Sequence, residues 1–373
     1  MSTLNIELEC PLHDSFRVQQ VAGMFDVPVA QRMRETISVE TPDLDAPWKV
    51  GLIVGPSGSG KTTVAKKLFG DRLHRATDWP NDQAVIDGFG DLSAREVTGL
   101  LTSVGFSSPP SWIKPYHVLS TGEQFRCDLA RALSTSFEHR EADQPPPIVA
   151  FDEFTSVVDR NVARIASAAI AKGVQRGTIP CRFVAVSCHY DITEWLAPDW
   201  VVDMATGTFQ RRCLRRPSIE LEVVRCHRRA WDAFARHHYL SGSLAPMARC
   251  YLALWRGVPT AFCAMLPIIG RRGHWRISRV VTLPDYQGVG IGMRFSEALG
   301  QIYRDDGMRM NITASHSAVI AHCRHSELWR TVNVRKAGTR RTAQFIPDYC
   351  GSIGRTTVSF EYLGQKAKKP EGA

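Results

Sequence analysis

The sequence predicts an α/β protein in two parts, each organised around a glycine-rich turn that joins an apolar strand to a helix. Residues 55–63 read Gly-Pro-Ser-Gly-Ser-Gly-Lys-Thr-Thr, between the apolar run at 50–54 and helically spaced residues 64–69. Residues 287–292 read Gln-Gly-Val-Gly-Ile-Gly, between an alternating segment at 274–281 and a predicted helix over 293–303. Charge separates the parts. Residues 1–210 hold 19 Lys+Arg against 26 Asp+Glu, net −7, and residues 211–373 hold 27 against 11, net +16.

At 373 residues the chain can build two or three cores, and its 44% hydrophobic and 22% charged residues are ordinary for globular protein. No apolar run reaches the length of a membrane span and the first residues lack a basic-then-apolar leader, so a cytoplasmic protein without membrane contact is expected. Ten scattered cysteines with no Cys-x-x-Cys pair exclude a disulfide framework and a zinc site. The basic half favours a polyanionic partner, most often nucleic acid. Solubility or a phosphate-bearing cofactor would use the same charge.

In order along the chain, residues 3–9 and 36–40 read as short strands. Phe25 lies between them and suits either an adenine-stacking ring or a core position. The turn at 55–63 fits G-x-x-x-x-G-K-[ST], with Gly55, Gly60, Lys61 and Thr62 at the fixed positions. Its glycines, Gly58 among them, let backbone N–H groups point inward, with Ser57 and Thr63 completing an anion cradle at a positive helix end. Lys61 would reach the β- and γ-phosphates of ATP, and the Thr62 hydroxyl would take one position on Mg²⁺. A chance glycine–serine turn is the alternative.

A helix is expected over 93–104. Leu119-Ser-Thr-Gly-Glu-Gln124 opens another that runs to residue 133. The apolar strand at 148–151 ends in Asp152-Glu153, a Mg²⁺ ligand followed by a carboxylate suited to orient a water. A buried strand at 183–187 leads to His189.

Phosphate loop, Leu-Ser-x-Gly-Glu-Gln, strand with Asp-Glu, then strand with His resembles the ATP-binding-cassette (ABC) ATPases over residues 1–210. The resemblance implies that 55–63 is Walker A, and that Ser120 and Gly122 form the signature capping ATP on a second subunit. It also implies Asp152 for Mg²⁺, Glu153 as the hydrolytic carboxylate, and His189 as the γ-phosphate sensor. A homodimer through the cassettes follows from it. Asp159 fits the loop after Walker B, although Ser156-Val-Val-Asp departs from the usual Ser-Ala-Leu-Asp. The spacing from Walker A to signature is short for a transporter, and Gln83 is the one candidate for a glutamine loop, so a soluble cassette is expected.

The run Arg211-Arg-Cys-Leu-Arg-Arg-Pro217 marks a junction. Beyond it, residues 220–224 read as a strand and 229–239 as a helix ending in His237-His238-Tyr239. Segments 249–255 and 260–268 read as a hairpin across Arg256-Gly257. Residues 308–314 read as a strand, 318–329 as a helix and 357–362 as a last strand. The pairs Arg271-Arg272, Arg335-Lys336 and Arg340-Arg341 lie in predicted turns and suit phosphates.

This order of elements around Gln-Gly-Val-Gly-Ile-Gly resembles the Gcn5-related N-acetyltransferase (GNAT) fold over residues 220–362. The resemblance implies that Val280 and Val281 pair by backbone with the pantetheine arm of acetyl-CoA or another acyl-CoA. Gln287, Gly288, Gly290 and Gly292 would hold its pyrophosphate. A dinucleotide site is the alternative, but no acidic residue ends a following strand to bind ribose. The family's frequent tyrosine is missing from 318–329, where His322, Cys323 and His325 read as structural or surface positions. His238 and Tyr239 are the acceptor-side candidates, with a helix cap as the competing role.

The fold class expected is therefore a P-loop ABC-type ATPase domain (1–212), a linker (213–217), a GNAT-like α/β acyltransferase domain (218–363) and a disordered tail (364–373). The function expected is ATP-dependent acyl-CoA N-acyl transfer to a nucleic-acid acceptor, with the ATPase gating access. A helicase-like ATPase joined to the same transferase fold in tRNA cytidine acetyltransferases is an analogy, as are phage DNA-modifying relatives of the fold. The rivals are a DNA-binding ATPase with a non-catalytic docking module and a small-molecule acetyltransferase.

Overall fold

The computed structural model describes residues 2–11, 14–25, 32–138, 145–211, 218–238, 244–336 and 356–364. The junction at 213–217, Tyr239, Arg340, Arg341 and the tail from 365 lie outside them. Elements are numbered in chain order. The first part holds β1 (Ser2–Pro11), α1 (Phe16–Phe25), β2 (Arg32–Thr41), β3 (Val50–Val54), α2 (Lys61–Phe69) and β4 (Leu73–His74). Next come α3 (Ala94–Ser103), α4 (Pro109–Trp112), α5 (Thr121–Glu138), β5 (Ile148–Phe151), α6 (Arg160–Gln175), β6 (Arg182–Ser187), α7 (Thr193–Leu196), β7 (Trp200–Asp203) and β8 (Thr208–Arg211). The last part holds β9 (Glu222–Cys226), β10 (Arg249–Trp255), β11 (Val258–Pro267), β12 (His274–Thr282), α8 (Ile291–Asp305), β13 (Arg309–Ala314), α9 (Ser317–His325), β14 (Trp329–Arg335) and β15 (Thr357–Tyr362).

The chain divides into two compact units. The first comprises Met1–Arg75, Thr135–Ser156 and Val174–Arg216. Its six-stranded sheet has the order β4-β5-β6-β3-β7-β8, with β4 through β7 parallel and β8 antiparallel at the edge. All five residues of β3 and all four of β5 are buried, as continuous apolar runs require of strands covered on both faces. Parallel pairing of β5, β6 and β3 puts their carboxyl ends, and hence the turns at 55, 152 and 189, on one edge of the sheet. The antiparallel ribbon β1–β2 completes the unit.

The second unit comprises Ala76–Ser134, Val157–Gly173 and Pro217–Ala373, so the signature segment and most of α6 fold with the basic part of the chain. Its seven-stranded sheet runs β14-β15-β13-β12-β11-β10-β9. The hairpin between β10 and β11 turns at Arg256 and Gly257, with φ of 53° and 78°, the paired positive values of a type I′ turn. Strand β12 pairs in parallel with β13, which needs a crossover, and α8 supplies it. Trp231, Phe234 and Phe262 form the centre of one core of this unit.

Three sequence expectations change. Residues 228–237 form two short 3-10 turns where a helix over 229–239 was expected. Trp231 and Phe234 point inward three apart, a spacing that a 3-10 turn meets as well as an α-helix. The helix expected over 318–329 ends at His325, and Trp329 begins β14, whose later residues are all exposed at the sheet edge. Phe25 is 70% exposed, which removes the core reading for it. Among the described residues no helix is long and apolar enough to cross a membrane, and Cys127, Cys181, Cys188, Cys226, Cys250, Cys263 and Cys323 are free thiols.

Two candidate phosphate sites, one in each unit

In the first unit, β3 feeds the turn at 55–63 and α2 leaves it. Gly60 is the N-cap of α2 with φ 81° and ψ 11°, a left-handed position that glycine occupies without a Cβ penalty. Lys61 Nζ folds back over the turn and donates to the Pro56 carbonyl at 2.6 Å. The Ser59 hydroxyl is buried without a hydrogen-bond partner among the described residues.

Asp152 ends β5 and is 2% exposed. The Thr62 hydroxyl lies 3.0 and 3.2 Å from its two carboxylate oxygens, bringing the two expected metal ligands together across 90 residues of sequence. Arg75 meets the same carboxylate, Nη2 at 2.7 Å and Nε at 2.9 Å. Its guanidinium is the positive charge that Asp152 faces here, and the hard oxygens of Thr62 and Asp152 are the donor set Mg²⁺ prefers. The residues therefore fit the ion. Sequence reasoning missed Arg75, because nothing local marks its partner.

Glu153 is exposed at the same sheet edge, and its N–H donates to Asp152 Oδ1 at 3.1 Å. Its φ of 53°, with 67° at Thr155, holds the turn after β5 in a region non-glycine residues rarely adopt, as strained functional turns do. His189 is half-buried past the end of β6, where its N–H donates to the Ser187 hydroxyl at 3.1 Å. Gln83 is exposed in a bend and meets none of these residues in the described contacts.

In the second unit, Ser120 precedes α5. Its N–H and hydroxyl both donate to Glu123 Oε2 at 3.0 Å, and the Glu123 N–H returns to the hydroxyl at 3.4 Å. Ser120 and Glu123 thus form a capping box, with Ser120 exposed and Gly122 half-buried in the first turn. One turn on, Arg126 is wholly buried. Its Nη1 donates to the Gly122 carbonyl at 3.4 Å, while Nε and Nη2 have no hydrogen-bond partner among the described residues. Burial pulls its guanidinium below its ordinary value, and the carboxylates of Asp285, Glu123 and Asp159 pull it back up.

The second glycine turn joins β12 to α8. Gly290 is the N-cap of α8 with φ 98° and ψ 14°, matching Gly60 in the other unit. Gln287 is buried, and both ends of its side chain are taken: Oε1 accepts from the Ser107 N–H at 2.7 Å and Nε2 donates to the Thr282 carbonyl at 2.9 Å. Beneath the turn, a Cβ on Gly288 would come within 2.7 Å of Gly105 Cα and 2.9 Å of Ala169 Cβ, so backbone approaches backbone there. One on Gly292 would come within 2.8 Å of the Thr282 hydroxyl.

Strand β12 pairs with β11 as far as Thr282, placing Val280 opposite Cys263 and Val281 opposite Phe262. Its ladder with β13 stops at Ile277, and Ser278 is an extra residue at a bulge opposite Ala264 and Met265. Both strands continue beyond this point, so the main-chain groups of 278–282 face β13 without a ladder. His238 is half-buried, packing edge-on against Trp231 at 5.7 Å. Burial, and then the charge of Arg279, push its imidazole down to about 4, which keeps it neutral. A cap holding a charged imidazole does not describe it. On α9, His322 contacts the buried Glu297 carboxylate at 2.7 Å, which also accepts from Trp329 Nε1 at 3.3 Å, and Cys323 is buried.

A scan of protein-family models finds no match, and a search of curated proteins finds none. The search of solved structures finds structures of two kinds. An IAA acetyltransferase from Bacillus cereus is 14% identical over 38% of this chain and 99% of its own, with a TM-score of 0.30. The ribosomal-protein-S18-alanine N-acetyltransferase from Escherichia coli is 15% identical over 41% of this chain and 100% of its own, with a TM-score of 0.30. A dimeric bacterial ABC transporter cassette is 17% identical over 49% of this chain and 94% of its own, with a TM-score of 0.35. The fold is mixed α/β and its structural neighbours are GNAT acetyltransferases and ABC cassettes.

Proposed function

We propose that the chain is an ATP-dependent acyl-CoA N-acyltransferase acting on a nucleic-acid acceptor. The observation that carries the transferase half is the parting of β12 from β13 beside a glycine turn with a left-handed N-cap. Main-chain groups at 278–282 that lie outside the β13 ladder suit the amides of a pantetheine arm, and the N-terminus of α8 suits a diphosphate. Acyl-CoA when bound supplies an activated carbonyl. A bond forms from the acceptor amine nitrogen to that carbon, the C–S bond breaks, and the thiolate takes up a proton as the amine gives one up. His238, held neutral, offers the approaching amine a hydrogen-bond acceptor, and Tyr239 follows it in sequence.

In the first unit Lys61 and the turn N–H groups would hold the ATP phosphates, Thr62 and Asp152 the Mg²⁺, Glu153 the attacking water, and His189 the γ-phosphate. Bound Mg²⁺ would supply charge neutralisation between the phosphates. Ser120 and Gly122 would cap ATP on a second copy, which makes the working form a homodimer. Support for gating comes from Arg126, which bonds the signature residue Gly122 and lies beside Gly105, the residue packed on Gln287. Support for a nucleic-acid acceptor is the net +16 of residues 211–373.

The second reading, a docking module without catalysis, draws support from the close packing of Gly288 on Gly105 and Ala169. Mass spectrometry of nucleosides separates the two. DNA and RNA incubated with the protein, Mg-ATP and acetyl-CoA should yield an acetylated nucleoside that Lys61→Ala fails to make. Unmodified nucleosides, with acetyl-CoA consumed on neither polymer, would leave the docking module.

A further inference from the structure

The seven-stranded sheet of the second unit is covered unequally on its two faces. On one face α8 lies over β13 and β15, where a Cβ on Gly300 would come within 2.7 Å of the Tyr362 ring and 2.8 Å of Met310 Cε. Met310, Ile312, Val358, Phe360 and Tyr362 are buried on that side. On the other face Trp231 and Phe234 pack on Cys250, Phe262, Ala264 and Val281, covering β10, β11 and the end of β12. The rest of that face is open. Arg276 belongs to it, lying opposite Leu266, two residues beyond Ala264 on β11. Arg276, Arg309, Thr313, Arg330, Asn333 and Arg335 are all exposed. Buried and open positions alternate along β13, as they do in strands covered on one side only.

Register sets these residues in rows. Arg276, Asn311, Glu361 and Arg330 lie side by side across β12, β13, β15 and β14. Thr313, Ser359 and Asn333 make the next row, with Arg309 and Arg335 on the same face by alternation. Glu361 is the one carboxylate at these positions, and it is buried beneath two arginines. It pairs with Arg309 and, at 2.6 Å, with Arg330 Nη2, while both arginine side chains stay more than half exposed. The outward charge is therefore of one sign. A protein partner would look for an apolar centre to the interface, and none of these positions is apolar. A phosphate backbone needs cations and hydrogen-bond donors at intervals, which the arginines supply together with Asn311, Thr313 and Asn333.

We propose that this open face of β12, β13, β15 and β14 docks a nucleic acid through its phosphates. The inference rests on the nucleic-acid acceptor reading and gives that acceptor a surface. The ladder between β12 and β13 ends at Ile277, one residue past Arg276, so the docked polymer lies beside the main-chain groups at 278–282. With α8 on the opposite side, the open face is the approach for a large acceptor.

The test follows a labelled single strand of ~20 nucleotides binding to the full-length protein by fluorescence anisotropy across a range of salt. Arg276→Ala combined with Arg330→Ala should weaken binding ~10-fold or more and flatten the slope of log affinity on log salt by about 1.4, the loss of two phosphate contacts. Arg276→Lys with Arg330→Lys keeps the charge and should keep most of the affinity. Arg225→Ala with Arg324→Ala removes the same charge from exposed positions on β9 and α9, away from this face, and should leave the slope unchanged. If Arg330→Ala lowers the melting temperature by loosening Glu361, Arg276→Ala alone carries the test with a slope change of about 0.7. Equal losses in the two alanine pairs, or a parent-like slope without Arg276 and Arg330, overturn the inference and leave the acceptor reading standing. Displacement of the strand by polyglutamate at equal charge makes the face a site for acidic protein and overturns it too. A parent that binds no nucleic acid removes both.

Discussion

The two glycine turns have the same backbone geometry and different ways of acquiring charge. At the first, φ is 80° at Gly58 and 81° at Gly60, and the cation, Lys61, is the next residue in the chain. At the second, φ is 88° at Gly288 and 98° at Gly290, and an ammonium from α6, Lys172 Nζ, donates to the Gly288 carbonyl at 3.4 Å. A turn that carries its own lysine is a complete site wherever the strand and helix form. A turn that borrows one depends on the packing around it. That difference predicts a first turn robust to changes elsewhere in the chain, and a second turn sensitive to its neighbours Gly105, Ala169 and Lys172.

Several measurements can break or sharpen this contrast. The largest effect expected belongs to the basic part of the chain. If its charge serves a nucleic acid, affinity of the full-length protein for DNA or RNA should fall ~10³-fold between 50 and 200 mM salt, as several phosphate contacts would require. A flat dependence would return the charge to solubility. Next in size, Glu153→Gln should slow ATP hydrolysis at least ~10²-fold if, as proposed, this carboxylate positions the attacking water. The same variant should accumulate as an ATP-bound dimer in light scattering. A monomer at saturating Mg-ATP would contradict the cassette role given to Ser120 and Gly122.

Arg75→Ala tests whether the first site is held closed by its own arginine. Arg75 would compete with Mg²⁺ for the Asp152 carboxylate, so the variant should need ~2- to 5-fold less Mg²⁺ for half-maximal ATP binding, the scale of a partly exposed ion pair. An unchanged or higher requirement would make Arg75 a helper of the metal instead. The smallest effect concerns His238. Its imidazole stays neutral in the folded chain down to about 4, whereas an unfolded histidine takes up a proton near 6.5. Between these values the unfolded state binds more protons, so this part of the stability is complete above pH 6.5 and is lost as pH falls toward 4. His238→Gln should narrow the difference between urea unfolding at pH 7 and at pH 4.5. An undiminished difference would assign the acid sensitivity to another half-buried histidine such as His316, whose imidazole burial also lowers.

Much of the architecture was legible because it is local. The apolar runs at β3 and β5, the alternation of β12, and the positive-φ requirement at Gly60 and Gly290 are properties of short stretches. The parts that stayed hidden are set by long-range packing. Nothing in residues 72–78 announces that Arg75 meets Asp152, and nothing near Ala169 announces that α6 lies on the second turn. Arg126 is one turn past Gly122, yet only the structure shows it to be a buried guanidinium with two nitrogens unpaired among the described residues. The strand β14 did leave a signal, the alternation of Val332 and Val334. Trp329 continues the helical spacing, so the sequence reading places the strand's first residue in the preceding helix and its last, Arg335, in a turn. The helix read over 229–239 failed for a related reason: inward residues three apart do not distinguish a 3-10 turn from an α-helix.

The central claim, that two glycine turns bind two different phosphate ligands, is tested most directly by calorimetric titration of ATP and coenzyme A into Lys61→Ala and Gly290→Glu. Lys61→Ala removes the cation facing the ATP phosphates and should lose ATP binding while keeping coenzyme A. Gly290→Glu places a carboxylate at the N-cap of α8, at a φ of 98° that also costs about 1–2 kcal/mol for a side chain with a Cβ. It should lose coenzyme A and keep ATP, with circular dichroism showing that the variant remains folded. If a folded Gly290→Glu binds coenzyme A as tightly as the parent, residues 287–292 are a structural turn and the transferase account is wrong.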